Sequence, residues 1–516
     1  MADKSIGKNF IFNLLNQIVQ ALGPVLVMPY ISRTLGADNI GLYSYAESMV
    51  SYFVLFAILG TNTFGQRSIS YLQNNKVERS RAFWETFIFR IVMSTVALIA
   101  YGGYMFFVAE RSDSVQMSTQ LLIYGIFALN ILNVAVDITW FMQGIEEFGK
   151  TSLRNMFFRI ASIVLIFIFV KDESNTWLYV LFMVCYAFLG NLSLWIYMPK
   201  YLCKVKGIRP FKDIKTILQL FLPTIAVQLY TVLDKSMLGW LAHGYAENGY
   251  YEQSEKIFRI ALVAVTALGV VMIPRIARTF KEGNNEKVND YIYKSYRFVW
   301  MMAIPIMLGL IAVTDIFVPV FFGEGYDKCK LLIPIFSVLV VIIGLSNVTG
   351  IQYFVPTGKQ NVLTLTVGVG AVINIVLNLI LIPHFYSLGA CIASVVAELS
   401  ITLVGFIYIK KKKLFLLKPV FLSSLKYWIA GAVMFGVVFL IKIFLPSALS
   451  ALLSLITLVI IGALVYFIIL LLLKDELIFE ILRKGASLLK KHKSIDCNKS
   501  QVDTSEGAAE SDEEKN

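Results

Sequence analysis

The stretch ALLSLITLVIIGALVYFIILLLL, from Ala451 to Leu473, carries no charged residue over 23 positions. As an α-helix it would be about 35 Å long at 1.5 Å per residue. That matches a hydrocarbon core of about 30 Å. Working back toward the N-terminus, we read thirteen more long apolar segments between residues 9 and 445. They are too long and too uniformly apolar for the alternating, roughly ten-residue strands of a membrane barrel. Backbone groups in lipid must be paired within their own segment, so helices are expected. The sequence therefore predicts an all-α, polytopic membrane protein with about 14 transmembrane helices. A count of twelve or thirteen stays open, because the fifth segment is short.

The whole chain agrees. Its 516 residues are 57% hydrophobic and only 16% charged, whereas soluble chains are nearer a quarter charged. Mean hydropathy is +0.71. Yet the net charge is +12. With both termini on the cytoplasmic side, 35 of the 46 Lys and Arg residues fall in inner segments. Five lie in short outer loops: Arg33, Arg111, Lys171, Lys328 and Lys330. This positive-inside asymmetry requires an even number of spans, which favours fourteen or twelve. The first apolar stretch is too long for a cleavable signal peptide. The five scattered cysteines show no CxxC or Cys/His pairing, so no disulfide framework or zinc site is expected. Residues 486–516 read as a disordered acidic cytoplasmic tail.

The chain reads as built twice. Gly41-Leu42-Tyr43 leads to Glu47, and Gly249-Tyr250-Tyr251 leads to Glu255. Both follow G-x-Y-x3-E at the start of a second span. We expect an N-terminal lobe at 1–205 (spans 1–6), a C-terminal lobe at 206–410 (spans 7–12), and two additional transmembrane helices at 411–485. Repeats of six spans insert with the same orientation, an arrangement used by alternating-access transporters.

Polar stripes cross several spans. Asn9, Asn13, Asn16, Gln17 and Gln20 share one face of the first, at three- and four-residue steps. Ser44, Glu47, Ser48 and Ser51 mark the second. Asn130, Asn133, Asp137 and Trp140 mark the fourth. Gln228, Thr231, Asp234 and Lys235 mark the seventh, and Glu255, Lys256 and Arg259 the eighth. Charge at membrane depth is costly and usually faces a bundle interior or hydrated cavity. Asn and Ser stripes also glue helices together, and Glu255 and Arg259 at i,i+4 can neutralise each other. Stripes on both halves point to one central cavity. Arg90 and Lys442 are expected to snorkel toward an interface. The candidate substrate-binding cations are Lys235, Lys256, Arg259 and Arg159, with Arg67 at the cytoplasmic end of span 2. Guanidinium and ammonium groups suit phosphates, so an anionic substrate is expected. Asn13, Gln17, Glu47, Asn133, Asp137, Asp234 and Glu255 are the other candidate cavity residues.

The opening Asn13-Leu14-Leu15-Asn16-Gln17, Pro24…Pro29-Tyr30-Ile31-Ser32-Arg33-Thr34-Leu35-Gly36 and Gly41-Leu42-Tyr43-Ser44-Tyr45-Ala46 resembles the bacterial polysaccharide transporters. So does Tyr251-Glu252-Gln253-Ser254-Glu255-Lys256-Ile257, running on to Pro274-Arg275. The branch is the oligosaccharide (Wzx-type) flippases of the multidrug/oligosaccharidyl-lipid/polysaccharide superfamily, and the likeness covers roughly residues 5–410. It implies a V-shaped, MATE-like pair of six-helix lobes plus two helices. It also implies movement of undecaprenyl-diphosphate-linked oligosaccharides across the bacterial cytoplasmic membrane by alternating access. In that reading Lys235, Lys256 and Arg259 hold the diphosphate. The resemblance further implies a sodium site at Asp234, Asn374, Asn378 and Ser394. No cofactor is expected beyond coupling to Na+ or H+.

Other classes fit less well. A cation-coupled multidrug exporter would want an acid-dominated cavity. A polymerase or acyltransferase would want a long outer loop or a His/Asp/Arg constellation, and His243, His384 and His492 lie at loop positions with no paired acid signature. A scaffold role for the basic inner loops is unnecessary, since topology and anionic headgroups account for them. Expected partners are the lipid-linked oligosaccharide, the bilayer, and glycosyltransferases and a polymerase of the same pathway. Nucleic acid is not expected, and the chain is read as a monomer.

Overall fold

Apolar side chains on every face leave the backbone no partner but itself, and the chain answers with helices. The computed structural model describes residues 6–111, 117–242, 244–444, 450–480 and 482–483, and the side chains of these except at 6–22 and a few further positions, mostly within 220–230. Asn13, Gln17 and Gln228 are among those excepted side chains, and the expected tail at 486–516 lies outside the described residues. No strand occurs among the described residues.

The helices run in order as α1 (Ile6–Ile58), α2 (Thr61–Tyr71), α3 (Lys76–Arg111), α4 (Met117–Val136), α5 (Thr139–Gly144), α6 (Phe148–Phe169), α7 (Thr176–Ser193) and α8 (Met198–Tyr201). The second half continues with α9 (Ile214–Leu241), α10 (Ala246–Lys281), α11 (Asn285–Phe321) and α12 (Cys329–Asn347), which runs into a π-helical turn at Val348–Phe354. It closes with α13 (Gln360–Phe385), α14 (Ser387–Lys412), α15 (Lys418–Phe444) and α16 (Ala451–Leu472). Among the described residues, twelve helical stretches are long and apolar enough to cross a membrane. The chain is a multi-pass membrane protein. Length and composition alone give twelve rather than fourteen, partly because α1 counts once and α9 not at all.

α1 is 53 residues long, which as a straight rod would be about 80 Å. Gly36 breaks it, with φ 73 and ψ 170. Pro24–Ile31 before the break and Tyr43–Ser51 after it line one cavity, so the two arms fold back side by side.

The repeat is visible in the backbone. Gly244, with φ 88, stands 208 residues after Gly36. α3 and α11, α6 and α13, and α7 and α14 begin 209, 212 and 211 residues apart. The two copies touch reciprocally. A Cβ on Gly41 would lie 1.7 Å from the carbonyl oxygen of Tyr245, and one on Gly249 would lie 2.0 Å from that of Ala37. Tyr245 and Ala37 are themselves separated by the repeat spacing, so these contacts are mates across a pseudo-twofold axis. Only glycine lets the backbones meet there.

Each half has its own core. One gathers buried residues from Met237 to Ile478, including α15 and α16. The other gathers residues from Val27 to Val184, joined by a few from α10, α11 and α12 such as Ile257, Val318 and Ile333.

Candidate functional site

The halves enclose a cavity of about 390 Å³ lined from both sides. The second half contributes one face of α10. Glu252, Glu255, Lys256 and Arg259 recur there at three- and four-residue steps and so point the same way. Lys235 comes from α9. The first half contributes Ser44 and Glu47 from α1, Arg159 from α6, and Tyr179 and Met183 from α7.

Most of these charges are paired. Lys235 Nζ lies 2.5 Å from Glu252 and 2.8 Å from Glu255. Lys256 Nζ lies 2.8 Å from Glu252, and Arg259 lies 2.5 Å from Glu255. Such pairs must be complete, because removing one partner strands a charge in low dielectric. Several contacts cross between the halves: Lys256 Nζ donates to Tyr43 Oη at 2.7 Å, Ser44 Oγ to Glu252 at 2.9 Å, and Tyr52 Oη to Ser236 Oγ at 2.9 Å. At the end of the bundle near Gly36, Gln253 donates to Ser32 Oγ at 2.6 Å and Arg33 donates to the Val320 carbonyl.

Arg159 is the exception. It is 5% exposed, yet no carboxylate meets it among the described residues. Its guanidinium stacks over the Tyr186 ring at 4.9 Å, and Nη1 points at Met183 Sδ at 3.6 Å. Nε has no hydrogen-bond partner. Gly23 leaves room for it, since a Cβ there would lie 3.2 Å from that Nε. A buried guanidinium whose one described acceptor is a weak thioether sulfur is costly, and here it faces the cavity. Glu47 also lacks a hydrogen-bond partner for its carboxylate among the described contacts. It lies where the main cavity abuts a smaller one of about 200 Å³ that Asn133, Asp137 and Arg90 also line.

Asp234 is next to Lys235 in sequence but about 100° around the helix, and it serves a second cavity of about 260 Å³. One carboxylate oxygen accepts from Asn374 at 2.9 Å and Asn378 at 2.6 Å, and the other from Tyr251 at 2.7 Å and from Ser394. Asn374, Asn378 and Ser394 are thus gathered on Asp234. Asn378 Oδ1 is buried without a partner.

Two expectations are corrected. Arg67 does not line the cavity: it is exposed on α2, with its guanidinium 5.8 Å from the Tyr71 ring centre. Arg90 does not snorkel. It is fully buried, with Nη2 3.0 Å from the Val134 carbonyl and 3.4 Å from Asp137, and Nη1 2.6 Å from Asn62. α4 stops at Val136, and the freed carbonyl at that break holds the guanidinium better than an interface would. Asn133 accepts from Asn191 at 2.7 Å, a helix-to-helix bond on the cavity's flank. Sequence reasoning missed Glu252. Its signal was its four-residue step to Lys256, the same spacing that singled out Glu255 and Arg259.

Two helical halves that meet around a charged, buried cavity define a multi-pass membrane transporter. The chain matches the family described as polysaccharide biosynthesis protein over residues 6–280, more than half its length, and it belongs to that family. It is 25% identical over 417 residues to a putative O-antigen transporter of Escherichia coli (strain K12), covering 80% of this chain and 98% of the relative. It is 23% identical over 472 residues to the lipid II flippase MurJ of Bacillus subtilis (strain 168), covering 80% and 83%. Among solved structures, lipid II flippase MurJ in an inward closed conformation superposes with a TM-score of 0.71 at 16% identity, covering 91% of this chain and 99% of that one. An inward-facing MATE family multidrug transporter of the MOP superfamily superposes with a TM-score of 0.58 at 14% identity, covering 76% and 98%. These superpositions establish the shared fold.

Proposed function

We propose that the chain is a flippase that carries undecaprenyl-diphosphate-linked oligosaccharides from the inner to the outer leaflet of the bacterial cytoplasmic membrane by alternating access. The observation that carries this reading is the cavity between the halves with four cations against three carboxylates, one of those cations, the buried Arg159, having no acid partner among the described residues. An anionic headgroup supplies the missing acceptor. The relatives named as O-antigen transporter and lipid II flippase support the same class of cargo.

In this reading the lobes are 1–205 and 206–410, with fourteen crossings, α1 making two of them. Both termini are cytoplasmic, so the Gly41/Gly249 contact closes the outer side. At about 390 Å³ the cavity sits near the low end for enclosing one small ligand. A diphosphate with several sugars therefore needs the halves to part, while the polyprenyl tail stays in lipid. Moving two negative charges outward across an inside-negative 100 mV releases roughly 4.6 kcal/mol, so transport proceeds without an obligatory ion. Where sodium assists, Asp234 supplies the charge. Asn374, Asn378 and Ser394 supply neutral oxygens, the orphaned Asn378 Oδ1 first among them, which suits a hard cation. The protein acts as a monomer beside the glycosyltransferases and polymerase of its pathway.

The test is reconstitution in sealed vesicles with a fluorescent lipid-diphosphate oligosaccharide. Translocation of that lipid, with none of an organic cation, is expected. Transport of the cation and none of the glycolipid would overturn the reading.

A further inference from the structure

Glu252 is 3% exposed and stands where both halves and two lysines meet. One carboxylate oxygen takes Lys256 Nζ at 2.8 Å, and the other takes Lys235 Nζ at 2.5 Å. That second oxygen also accepts from Ser44 Oγ at 2.9 Å. The lysines belong to the second half and Ser44 to the first. Ser44 and Glu252 are 208 residues apart, the spacing that relates Gly36 to Gly244 and Gly41 to Gly249. The bond therefore lies on the pseudo-twofold axis. The repeat does not call for an acid here, since the matching residue is a serine. What calls for it is the pair of ammonium groups.

A carboxylate and a phosphate compete for the same ammonium N–H donors. We propose that Glu252 is a positioning residue that occupies the phosphate's place between transport cycles, tying the halves together until a diphosphate headgroup displaces it. This rests on the flippase reading above and deepens it. Arg159, which has no acid to leave, makes the first contact. Once the headgroup takes Lys235 and Lys256, nothing holds Glu252 in line with Ser44, and the tie on the axis is released. On the return stroke the carboxylate takes the lysines back, so they are never left bare. A lipid monophosphate, with one phosphoryl group, engages Arg159 without displacing Glu252.

The test uses the full-length protein in vesicles, with its native cysteines replaced by serine and with Ser48→Cys and Ser236→Cys as a reporter pair. Those hydroxyls lie 3.1 Å apart across the halves, so cross-linking reads closure. Undecaprenyl diphosphate is expected to lower the cross-linking yield several-fold, and undecaprenyl phosphate to leave it unchanged. Glu252→Gln keeps the shape and removes the competing charge. It should bind undecaprenyl diphosphate about tenfold tighter, as a gain of about 1.4 kcal/mol would give, and its cross-linking should no longer respond to the lipid. Glu252→Asp should restore the response. Ser44→Ala leaves the cavity charge intact and should lower cross-linking before any lipid is added. If wild type binds the diphosphate and responds while Glu252→Gln and Ser44→Ala both behave as wild type, Glu252 is structural and the proposal fails. Should Glu252→Gln not fold, an unchanged Ser44→Ala overturns it alone. If wild type binds neither lipid, the flippase reading itself falls.

Discussion

Glu47 and Glu255 hold the same position in the two copies of one motif, yet live in opposite circumstances. Glu255 is clamped between Lys235 and Arg259. Glu47 faces open cavity, with no donor on its carboxylate among the described contacts. The contrast extends to the walls they belong to. The second half brings three cations and two acids that satisfy one another, and the first brings Arg159 and Glu47, which do not. The glycines and the turn persist in both halves because backbone packing demands them, while the tyrosines serve different partners, Tyr43 accepting from Lys256 and Tyr251 donating to Asp234. The charges diverge, leaving one wall self-sufficient and the other needing a ligand.

The comparison is broken most severely at the shared glycines. Gly41→Val or Gly249→Val puts side-chain atoms where a carbonyl oxygen already lies within about 2 Å of a Cβ. Either change should abolish transport and hold the outer side open. A membrane-impermeant thiol reagent added outside should then label Thr231→Cys, a cavity-lining position, in the valine variants and not in the parent. Next in size, Glu255→Gln strands parts of two cations. Lys235 keeps Glu252 and the Arg259 side chain is half exposed, so the variant should lower stability by about 1–3 kcal/mol, read as a fall in the thermal midpoint of the detergent-solubilised protein. Glu47→Gln breaks no described hydrogen bond and should shift that midpoint by less than about 1 kcal/mol equivalent. Equal losses from the two glutamates would erase the distinction between the walls. Smallest of all, Arg67→Ala should leave transport in vesicles at the parent level, because its side chain is exposed outside the cavity.

How much of this was readable in advance follows from what each feature depends on. Apolar length alone gives the helical class, and the G-x-Y-x3-E pair gives the twofold construction, since both are local patterns. Polar stripes at helical spacing also pointed Lys235, Lys256 and Arg259 toward one cavity, with Arg159 added as a charge inside an apolar span, whereas Asn374, Asn378 and Ser394 were placed with Asp234 by the family resemblance and not by spacing. Glu252 stayed hidden because its importance comes from Lys235 and Ser44, which reach it from other helices. Arg90 was misread because a charge in an apolar segment looks the same whether it snorkels or meets the freed carbonyl of Val134. Arg67 was misread because its distance from the cavity depends on the short helix α2, a break at Gly60 that hydropathy does not reveal. The separate fates of Asp234 and Lys235 needed the cavities themselves, since neighbours on a helix share a depth but not a direction.

The central claim is that the guanidinium of Arg159, which meets no carboxylate among the described residues, awaits an anionic headgroup. The most direct measurement is the affinity of the reconstituted protein for undecaprenyl diphosphate in wild type, Arg159→Lys and Arg159→Ala. Losing the charge-assisted bonds of a guanidinium should cost about 3 kcal/mol, a weakening of more than about a hundredfold in the alanine variant. Lysine, a point charge without the fork, should recover part of it. Unchanged affinity in Arg159→Ala, with the protein folded, would contradict the account.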